Sequence, residues 1–537
     1  MATPSSKENP ESPSSAARSA FMVGTGILLS RLAGLIRDRV FAHYFGNSDA
    51  ADAFRAAFRI PNFLQNLFGE GVLSASFIPA YAGLLARRNT KEAGEVAGAI
   101  AAFLGLVVSI LVLFGLWATP YLIAAIAPGF AGEKRELCIH LVRILFPGAG
   151  LLVFSAWCLG ILNSHRYFLV SYTAPVIWNA AIIAALLSFG TRQPQFSLAT
   201  VTAWGSVLGS LLQLVVQIPL VLRLVERLRL ALDFQSTEVR TVIRNFVPVF
   251  FSRGVVQISA YVDSLISSLL PTGAVAGLSY AQTLYTLPVS LFGMSVSAAE
   301  LPAMSGALGN QEEVAGYLRT RLNSGLRRIA FFIVPSAMAF LALGDVVTAT
   351  IYQSGRFSRA DTFYVWGILA GSAVGLLAST MGRLYASTYY ALRDARTPLR
   401  FAILRVLLTT LLGYIAAIFL PPLLGIDSRW GVAGLTASAG VAGWLEFLLL
   451  RKHLSRHIGH TGLPVSFALQ LWSAAAIGAG AAWIIKWAVG PLHPIAVAVL
   501  VLGPYGLVYL AMVLAFGVPE AHDALGRARR MMGSELR

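Results

Sequence analysis

Charged side chains recur inside an apolar stretch near the N-terminus of this 537-residue chain. Residues 30–46 read SRLAGLIRDRVFAHYFG and contain Arg31, Arg37, Asp38 and Arg39. Guanidinium groups donate two hydrogen bonds in one plane, which suits phosphate and carboxylate ligands. A charge that faces lipid at mid-bilayer costs roughly 2.5–3.5 kcal/mol or more. The stretch therefore predicts either a buried ion-pair network or a hydrated site for an anion.

A second stretch, residues 52–71, carries its polar side chains on one face of a helix. At about 100° per residue, six of them fall within an arc of about 80°: Asp52, Arg55, Arg59, Asn62, Asn66 and Glu70. Pro61 is expected to bend this helix. Across the two stretches arginine outnumbers carboxylate by five to three. This excess favours a cationic, hydrated cavity between two halves of the protein, and an anionic substrate.

An ion-pair network remains the alternative for the same residues. Arg31 and Asp38 are seven positions apart, within about 20° on a helix, whereas Arg37 points about 120° away from Arg31. The expected pairs are Arg31 with Asp38, and Arg59 with Asp52 or Glu70. Two arginines near helix ends, Arg39 and Arg55, are expected to extend to the membrane interface.

Composition identifies the class of protein that must position these residues. Hydrophobic residues make up 56% of the chain and charged residues only 12%, which predicts a polytopic membrane protein. The two cysteines, Cys138 and Cys158, lie in apolar segments, so we expect buried thiols and no disulfide framework. The apolar run after residue 18 is predicted to be a retained helix and not a cleaved signal peptide.

Fourteen windows are long and apolar enough to span a membrane. They lie near residues 19–44, 53–86, 95–127, 137–162, 168–190, 198–222, 241–270, 274–304, 325–352, 362–391, 401–422, 431–450, 465–489 and 494–517. With both termini cytoplasmic, the cytoplasmic segments contain 25 Lys and Arg residues and the opposite side 6. This asymmetry predicts the orientation and explains the basic charge without a nucleic-acid partner.

An internal repeat predicts the domain organisation. LFGEGVLSASFIPA at 67–80 is similar to LFGMSVSAAELPA at 291–303, and each follows a proline on a long helix. Six predicted helices separate the copies, so both enter the membrane in the same direction, which is typical of a parallel repeat. The predicted parts are a disordered cytoplasmic tail, an N-lobe, a C-lobe, an appended helix pair and a second cytoplasmic tail, at 1–18, 19–230, 240–451, 465–517 and 518–537.

No enzyme, cofactor or metal site is predicted. There is no Walker loop and no carboxylate pair for hydrolysis outside the polar face. HLSRHIGH at 453–460 is interpreted as a solvated basic loop and not as a metal site. The second half of the chain carries fewer charges in its apolar segments, among them Arg253, Asp263, Arg383 and Arg405; Lys486 is expected to extend to the interface.

Two motif segments resemble the lipid II flippases (the MurJ/MviN family) of the multidrug/oligosaccharidyl-lipid/polysaccharide exporter superfamily. They are SRLAGLIRDRVFAHYFG at 30–46 and DAFRAAFRIPNFLQNLFGEGVLSASFIPAY at 52–81, with a later match at DARTP, 394–398. The resemblance implies an all-α fold with two six-helix lobes and an appended pair. It also implies transport of an undecaprenyl-diphosphate-linked disaccharide-pentapeptide across the cytoplasmic (inner) membrane by alternating access. The implied partners are this lipid-linked substrate, membrane lipids and the cell-wall synthesis machinery.

The resemblance also implies site residues. The family's substrate-binding positions fall on Arg31, Arg37, Asp52, Asn62 and Glu70, and Asp38 is expected to set the geometry of the arginines. The family places an arginine where this chain has Gln65, and another near Gln282 or Thr283. Arg59 and Arg253 are hypothesised to replace them. Some relatives bind sodium near Asp263; here an Asp263–Arg405 ion pair is expected in its place.

Three other functions remain open at this stage. The same arginines would suit another polyprenyl-diphosphate saccharide, such as an O-antigen or capsule unit, or a drug exporter on the same fold. A membrane glycosyltransferase would need catalytic carboxylates and a substantial loop outside the membrane, and the loops here are short and basic. A structural partner of the cell-wall machinery is the third.

Overall fold

Helices form nearly all of the chain between its two tails. The computed structural model describes residues 13–231, 236–306, 310–490, 492–523 and 526, and it describes the backbone alone at 13–24, 61, 69–72, 75 and 247–260. Within the described ranges there is no β-strand. The all-α prediction is therefore confirmed for this part of the chain.

The helices of the first half are α1 (Pro13–Phe45), α2 (Asp49–Gln65), α3 (Ser74–Ala86), α4 (Thr90–Ile126), α5 (Gly132–Ser164), α6 (Phe168–Phe189), α7 (Gln195–Leu224) and α8 (Thr237–Ser268). In this half α2 packs on α5, α5 on α7, α7 on α6, and α6 on α1. The charged α1 and α2 thus pack beside helices that are apolar enough to cross a membrane.

The second half contains α9 (Ala274–Pro288), α10 (Ser295–Ser305), α11 (Gln311–Ala342), α12 (Gly344–Tyr352), α13 (Arg359–Ala373), α14 (Leu376–Ala391), α15 (Arg396–Tyr414), α16 (Leu420–Leu423), α17 (Gly431–Ile458), α18 (Val465–Val489) and α19 (Pro494–Ala515). Side chains at the helix N-termini fix where some of these helices begin. Asn310 with Glu313, and Ser358 with Asp361, form capping boxes that satisfy free backbone N–H groups at the N-termini of α11 and α13.

Ten described helices are long and apolar enough to cross a membrane, and the number rises to eleven if α13 and α14, bent by 42°, are one span. The chain is therefore a multi-pass membrane protein. The predicted number of fourteen is larger, and the charged α1 and α2 are among the helices outside the ten. The count of fourteen spans therefore stays a prediction.

The two copies of the LFG motif share an unusual local conformation. A π-helical segment, π1 (Asn66–Leu73), follows α2, and π2 (Val289–Met294) follows α9. A π-helix forms i→i+5 hydrogen bonds and is frequent at functional sites. α2 continues through Pro61, where a bend is expected, and its winding changes five residues later, at Asn66. The same change within both copies agrees with the internal repeat.

The chain separates into two compact units. One comprises the residues up to Phe45 and Asp49–Tyr261, and the other comprises Gly46–Ser48 and the residues from Val262 onward. The boundary falls inside α8, and the predicted lobe boundary at 230–240 stays a prediction. Cys138 and Cys158 are both buried and free in the first unit, as predicted.

Candidate functional site

Arg37, Asp38 and Arg55 form one charged cluster between α1 and α2. The guanidinium of Arg37 donates through Nε and Nη2 to Oδ1 of Asp38, at 3.2 and 3.0 Å. Nη1 of Arg55 donates to the same oxygen at 3.1 Å. The side chains of Asp38 and Arg55 are 5% and 9% exposed, and that of Arg37 is 16% exposed. Two guanidiniums, one from each helix, thus share one carboxylate oxygen.

Aromatic rings complete the surroundings of both arginines. The guanidinium carbon of Arg55 lies 4.5 Å from the ring centre of Phe41. That of Arg37 lies 5.6 Å from Phe58 and 5.5 Å from Trp178, whose rings stack on each other at 5.4 Å. The negative face of an aromatic ring attracts a cation. These rings therefore stabilise guanidinium groups in a region where water cannot solvate them freely.

This cluster corrects two expectations. Asp38 pairs with Arg37 and Arg55, and not with Arg31 as the alternative required. Arg37 reaches the carboxylate of the adjacent Asp38 through Nε and Nη2 although the two residues point in different directions on a straight helix. Arg55 does not extend to the membrane interface; it is 8% exposed and contacts α1. Its place on the same face as Asp52 was the available signal, but the sequence could not identify its partner.

Asp52 belongs to a second cluster, at the N-terminus of α2. Lys134, in the first turn of α5, donates from Nζ to Oδ2 of Asp52 at 2.6 Å and lies 2.9 Å from Oδ1 of Asp49. Asp52 is 1% exposed, and the ammonium lies 4.4 Å from the ring centre of Phe130. Lys134 lies between the windows predicted as membrane helices at 95–127 and 137–162. The lysine offsets the charge of Asp52 and fastens α2 to α5.

Arg31 lines a separate polar cavity of about 470 Å³ inside the first unit. Gln65 and Asn66 line it from α2 and π1, and Ser155 and Gln213 from α5 and α7. Arg31 is exposed, whereas Asp38 is buried. The structure thus separates Arg31 from the Arg37–Asp38–Arg55 cluster, and the predicted residues of α1 belong to two different environments.

The remaining predicted residues lie elsewhere. Arg59 and Asn62 are half-buried on α2, and the backbone carbonyl of Arg59 accepts a hydrogen bond from the Tyr261 hydroxyl at 2.9 Å. The side chains of Glu70 and Arg253 lie outside the described residues. Their predicted roles stay predictions.

The continuous polar face predicted for residues 52–70 requires a correction. It assumed α-helical winding to Glu70, but the winding changes at Asn66, where π1 begins. Because a π-helix turns fewer degrees per residue, the α-helical angles of Asn66 and Glu70 no longer apply. Asp52 and Arg55 belong to the two charged clusters and Asn66 lines the cavity, whereas Arg59 and Asn62 belong to none of these groups.

In the second unit two further ion pairs differ from expectation. Arg405 on α15 donates to Oε2 of Glu446 on α17 at 3.1 Å, so the pair that the structure shows at Arg405 is not with Asp263. Lys486 on α18 donates to Oδ2 of Asp345 on α12 at 2.6 Å. It therefore does not simply extend to the interface; it pairs with a buried carboxylate, and its ammonium also contacts Trp483 at 4.5 Å.

No group of three or more His, Cys, Asp or Glu side chains suitable for a metal ion occurs among the residues that the structure describes. The arrangement in the first unit is suited to binding an anion. The guanidinium of Arg37 is held through Nε and Nη2 by Asp38 and lies near two aromatic rings, and a guanidinium held in this way is suited to a phosphate oxygen.

Comparison with known proteins assigns the family. The sequence profile described as "Lipid II flippase MurJ" matches residues 41–503. The chain belongs to the lipid II flippase MurJ family. It is 29% identical over 525 residues to the lipid II flippase MurJ of Burkholderia cenocepacia, covering 94% of this chain and 98% of the relative. It is 30% identical over 483 residues to the probable lipid II flippase MurJ of Haemophilus influenzae, covering 86% and 92%.

Solved structures of MurJ and of related transporters share the fold. A lipid II flippase MurJ in an inward closed conformation superposes with a TM-score of 0.74 at 24% identity, covering 92% of this chain and 98% of that one. An inward-facing multidrug-resistance transporter of the MATE family and MOP superfamily gives 0.64 at 19% identity, covering 80% and 95%. The resemblance stated from the two motif segments is thus confirmed, and it extends over most of the chain.

Proposed function

We propose that this chain flips lipid II from the cytoplasmic to the outer leaflet of the cytoplasmic membrane. The observation that supports the proposal is the Arg37–Asp38–Arg55 cluster, which holds two guanidinium groups on one carboxylate oxygen among the helices of a MurJ-family chain. Guanidinium groups are suited to binding phosphate. A flippase is a transporter, so family membership agrees with the prediction that the chain is not an enzyme.

The diphosphate of the substrate is the group that the arginines bind. Arg37 and Arg31 are six residues apart on α1, which is about 9 Å along the helix axis. Asp38 and Arg55 orient Arg37, and Arg31 provides a second cationic position on the same helix. Asp52, Arg59, Asn62, Glu70 and Arg253 complete the set of substrate-binding residues that we propose.

The membrane topology that accompanies this function has fourteen spans and two cytoplasmic termini. Its support is the distribution of Lys and Arg residues, 25 on the cytoplasmic side and 6 on the other. The lobes at 19–230 and 240–451 and the helix pair at 465–517 belong to the same proposal, together with transport by alternating access. Besides the lipid-linked substrate and membrane lipids, the cell-wall synthesis machinery is a proposed partner.

Complementation tests the function directly. Cells whose own lipid II flippase can be depleted are supplied with this chain, or with Arg31→Ala or Arg37→Ala variants. We expect growth with the wild-type chain and lysis with each variant. Arg135→Ala is the matched control, because Arg135 is a half-exposed arginine that contacts only the neighbouring Glu136 at 3.5 Å in the described structure.

Failure of the wild-type chain at normal membrane levels would contradict the proposal. Loss of a capsule or O-antigen in the native host, with intact peptidoglycan and no lipid II accumulation on depletion, would favour a different polyprenyl-diphosphate saccharide.

A further inference from the structure

The polar cavity of the first unit has features that neither charged cluster explains. It measures about 470 Å³, within the range of about 300–1,000 Å³ for small-molecule sites. Arg31 is the one charged side chain among its described lining residues. The other polar lining groups are amides and hydroxyls, which bind neutral groups by hydrogen bonding.

Gln213 is a buried amide residue in the lining of this cavity. It lies on α7 and is 4% exposed. Its Nε2 donates to the hydroxyl of Ser155 at 2.8 Å, and that hydroxyl donates to Oε1 of Gln217 at 2.9 Å. In this arrangement Nε2 is the hydrogen-bonded end of the Gln213 amide. Oε1 of Gln213 has no hydrogen-bond partner among the described residues.

Asn163, near the C-terminus of α5, has the same property. It lines the cavity, and its buried Oδ1 has no partner within the described part of the chain. An unsatisfied buried acceptor costs about 1–3 kcal/mol. Two such acceptors in one cavity therefore favour a ligand that donates hydrogen bonds from hydroxyl or amide N–H groups.

Combining these groups with Arg31 defines the class of ligand. The lining of the cavity contains two amide side chains whose oxygens have no partner among the described residues, and one guanidinium for an anion. An N-acetylated, hydroxyl-rich sugar attached to a diphosphate has both kinds of group. We infer that the saccharide of the lipid-linked substrate binds in this cavity, with Gln213 and Asn163 accepting from the sugar and Arg31 contacting the diphosphate. This inference rests on the proposed flippase function.

The test compares two ligands on the purified full-length chain in lipid nanodiscs. The probes are lipid II and undecaprenyl diphosphate, which lacks the sugar. We expect lipid II to bind more tightly to the wild type. Gln213→Met, which keeps the side-chain length but removes the amide, should reduce the affinity for lipid II about two- to tenfold, as expected for one hydrogen bond. The affinity for undecaprenyl diphosphate should not change, which also shows that the variant is folded.

Gln217→Met is the matched control. Gln217 is one helical turn along α7, is fully buried and contacts the same Ser155, but it does not line the cavity. We expect it to keep the preference for lipid II. Asn163→Leu, at a half-buried position near a helix end, is a second variant if Gln213→Met does not fold, and it should lose part of the preference.

Each other outcome overturns the inference. Equal effects of Gln213→Met and Gln217→Met would mean that the amides act only through packing. An unchanged preference in both Gln213→Met and Asn163→Leu would mean that water, and not sugar, occupies the cavity. A wild type that bound both lipids equally would have no sugar site, although the flippase function would stand. A wild type that bound neither lipid would overturn the flippase proposal as well.

Discussion

Nη1 of Arg55 lies 3.1 Å from Oδ1 of Asp38, and this contact joins α2 to α1 in the interior of the first unit. The same oxygen accepts from Arg37, so one carboxylate atom holds two guanidiniums from two helices. Removing a single partner from such a cluster has a larger effect than the strength of one ion pair, because the remaining charges stay buried.

The first prediction concerns Asp38→Asn. The substitution keeps the side-chain shape but leaves Arg37 and Arg55 without their shared counter-charge. We expect a loss of about 3–5 kcal/mol in the free energy of unfolding, as for other broken buried pairs, and loss of complementation. Chemical denaturation of the purified chain, followed by tryptophan fluorescence, measures the first effect.

Asp49→Asn is the control for that experiment. Asp49 also lies near a cation, Lys134, but its side chain is 45% exposed. Exposed pairs contribute about 0–1 kcal/mol, so we expect little change. Equal destabilisation by the two substitutions would show that the burial of Asp38 has no special effect.

The second prediction separates charge from shape at Arg37. Arg37→Lys keeps the positive charge but loses the planar fork and its contacts with Phe58 and Trp178. We expect partial transport activity in Arg37→Lys and none in Arg37→Ala. Lipid II accessibility at the outer surface of depleted cells is the measurement. If lysine restored full activity, the bidentate contact to the diphosphate would not be required.

The third prediction is a coupling between Lys134 and Asp52. Asp52 is 1% exposed, so Lys134→Met leaves a buried carboxylate without this ammonium. We expect Lys134→Met to destabilise the chain by several kcal/mol, and the Lys134→Met/Asp52→Asn double variant to regain part of that loss. A double-mutant cycle measures the coupling. Additive effects would exclude a direct interaction between the two side chains.

The fourth prediction concerns pH and His165, in the turn between α5 and α6. Burial lowers the pKa of His165 from its ordinary value, about 6.5 in an unfolded chain, and the Tyr81 hydroxyl lies 2.9 Å from Nε2. The unfolded chain therefore binds this proton more readily than the folded chain does. The contribution of His165 to stability is complete above about pH 6.5 and is lost as the pH falls through the folded-state pKa.

Thermal unfolding between pH 7.5 and 5.5 checks this sign. The unfolding midpoint should decrease as the pH falls, and the decrease should be smaller in His165→Gln, which cannot become charged. An identical pH dependence in the variant would assign the effect to other groups.

The helical membrane class and the family follow from local features of the sequence. Long apolar windows form helices because every backbone polar group must be satisfied within the bilayer. The predicted windows are largely helical in the structure, although five of the fourteen span more than one helix. The motif segments around Arg31 and Asp52 identified the family because they preserve residue types and spacing. Neither inference required knowledge of which helices pack together.

The partners of the charged residues did not follow from the sequence. Helical angles place residues on a face, but they do not show where a long side chain ends. The side chain of Arg37 contacts Asp38 although helical angles place the two residues in different directions. Lys134 contacts Asp52, which lies 82 positions away in the sequence. The change from α-helix to π-helix at Asn66 could not be predicted either, because the helical angles were calculated for an α-helix throughout.

By itself, the sequence determined that charges must be sheltered inside a bundle of membrane helices, because the cost of exposing them to lipid depends only on residue type and depth. Tertiary structure alone decided how they are sheltered. The packing of α2 on α1 and α5 assigned Asp38 and Asp52 to different cations. Tertiary packing also brought Arg31 and Gln213 to the lining of one cavity. These groups come from segments that are distant along the chain, so the sequence alone could not show that they are neighbours.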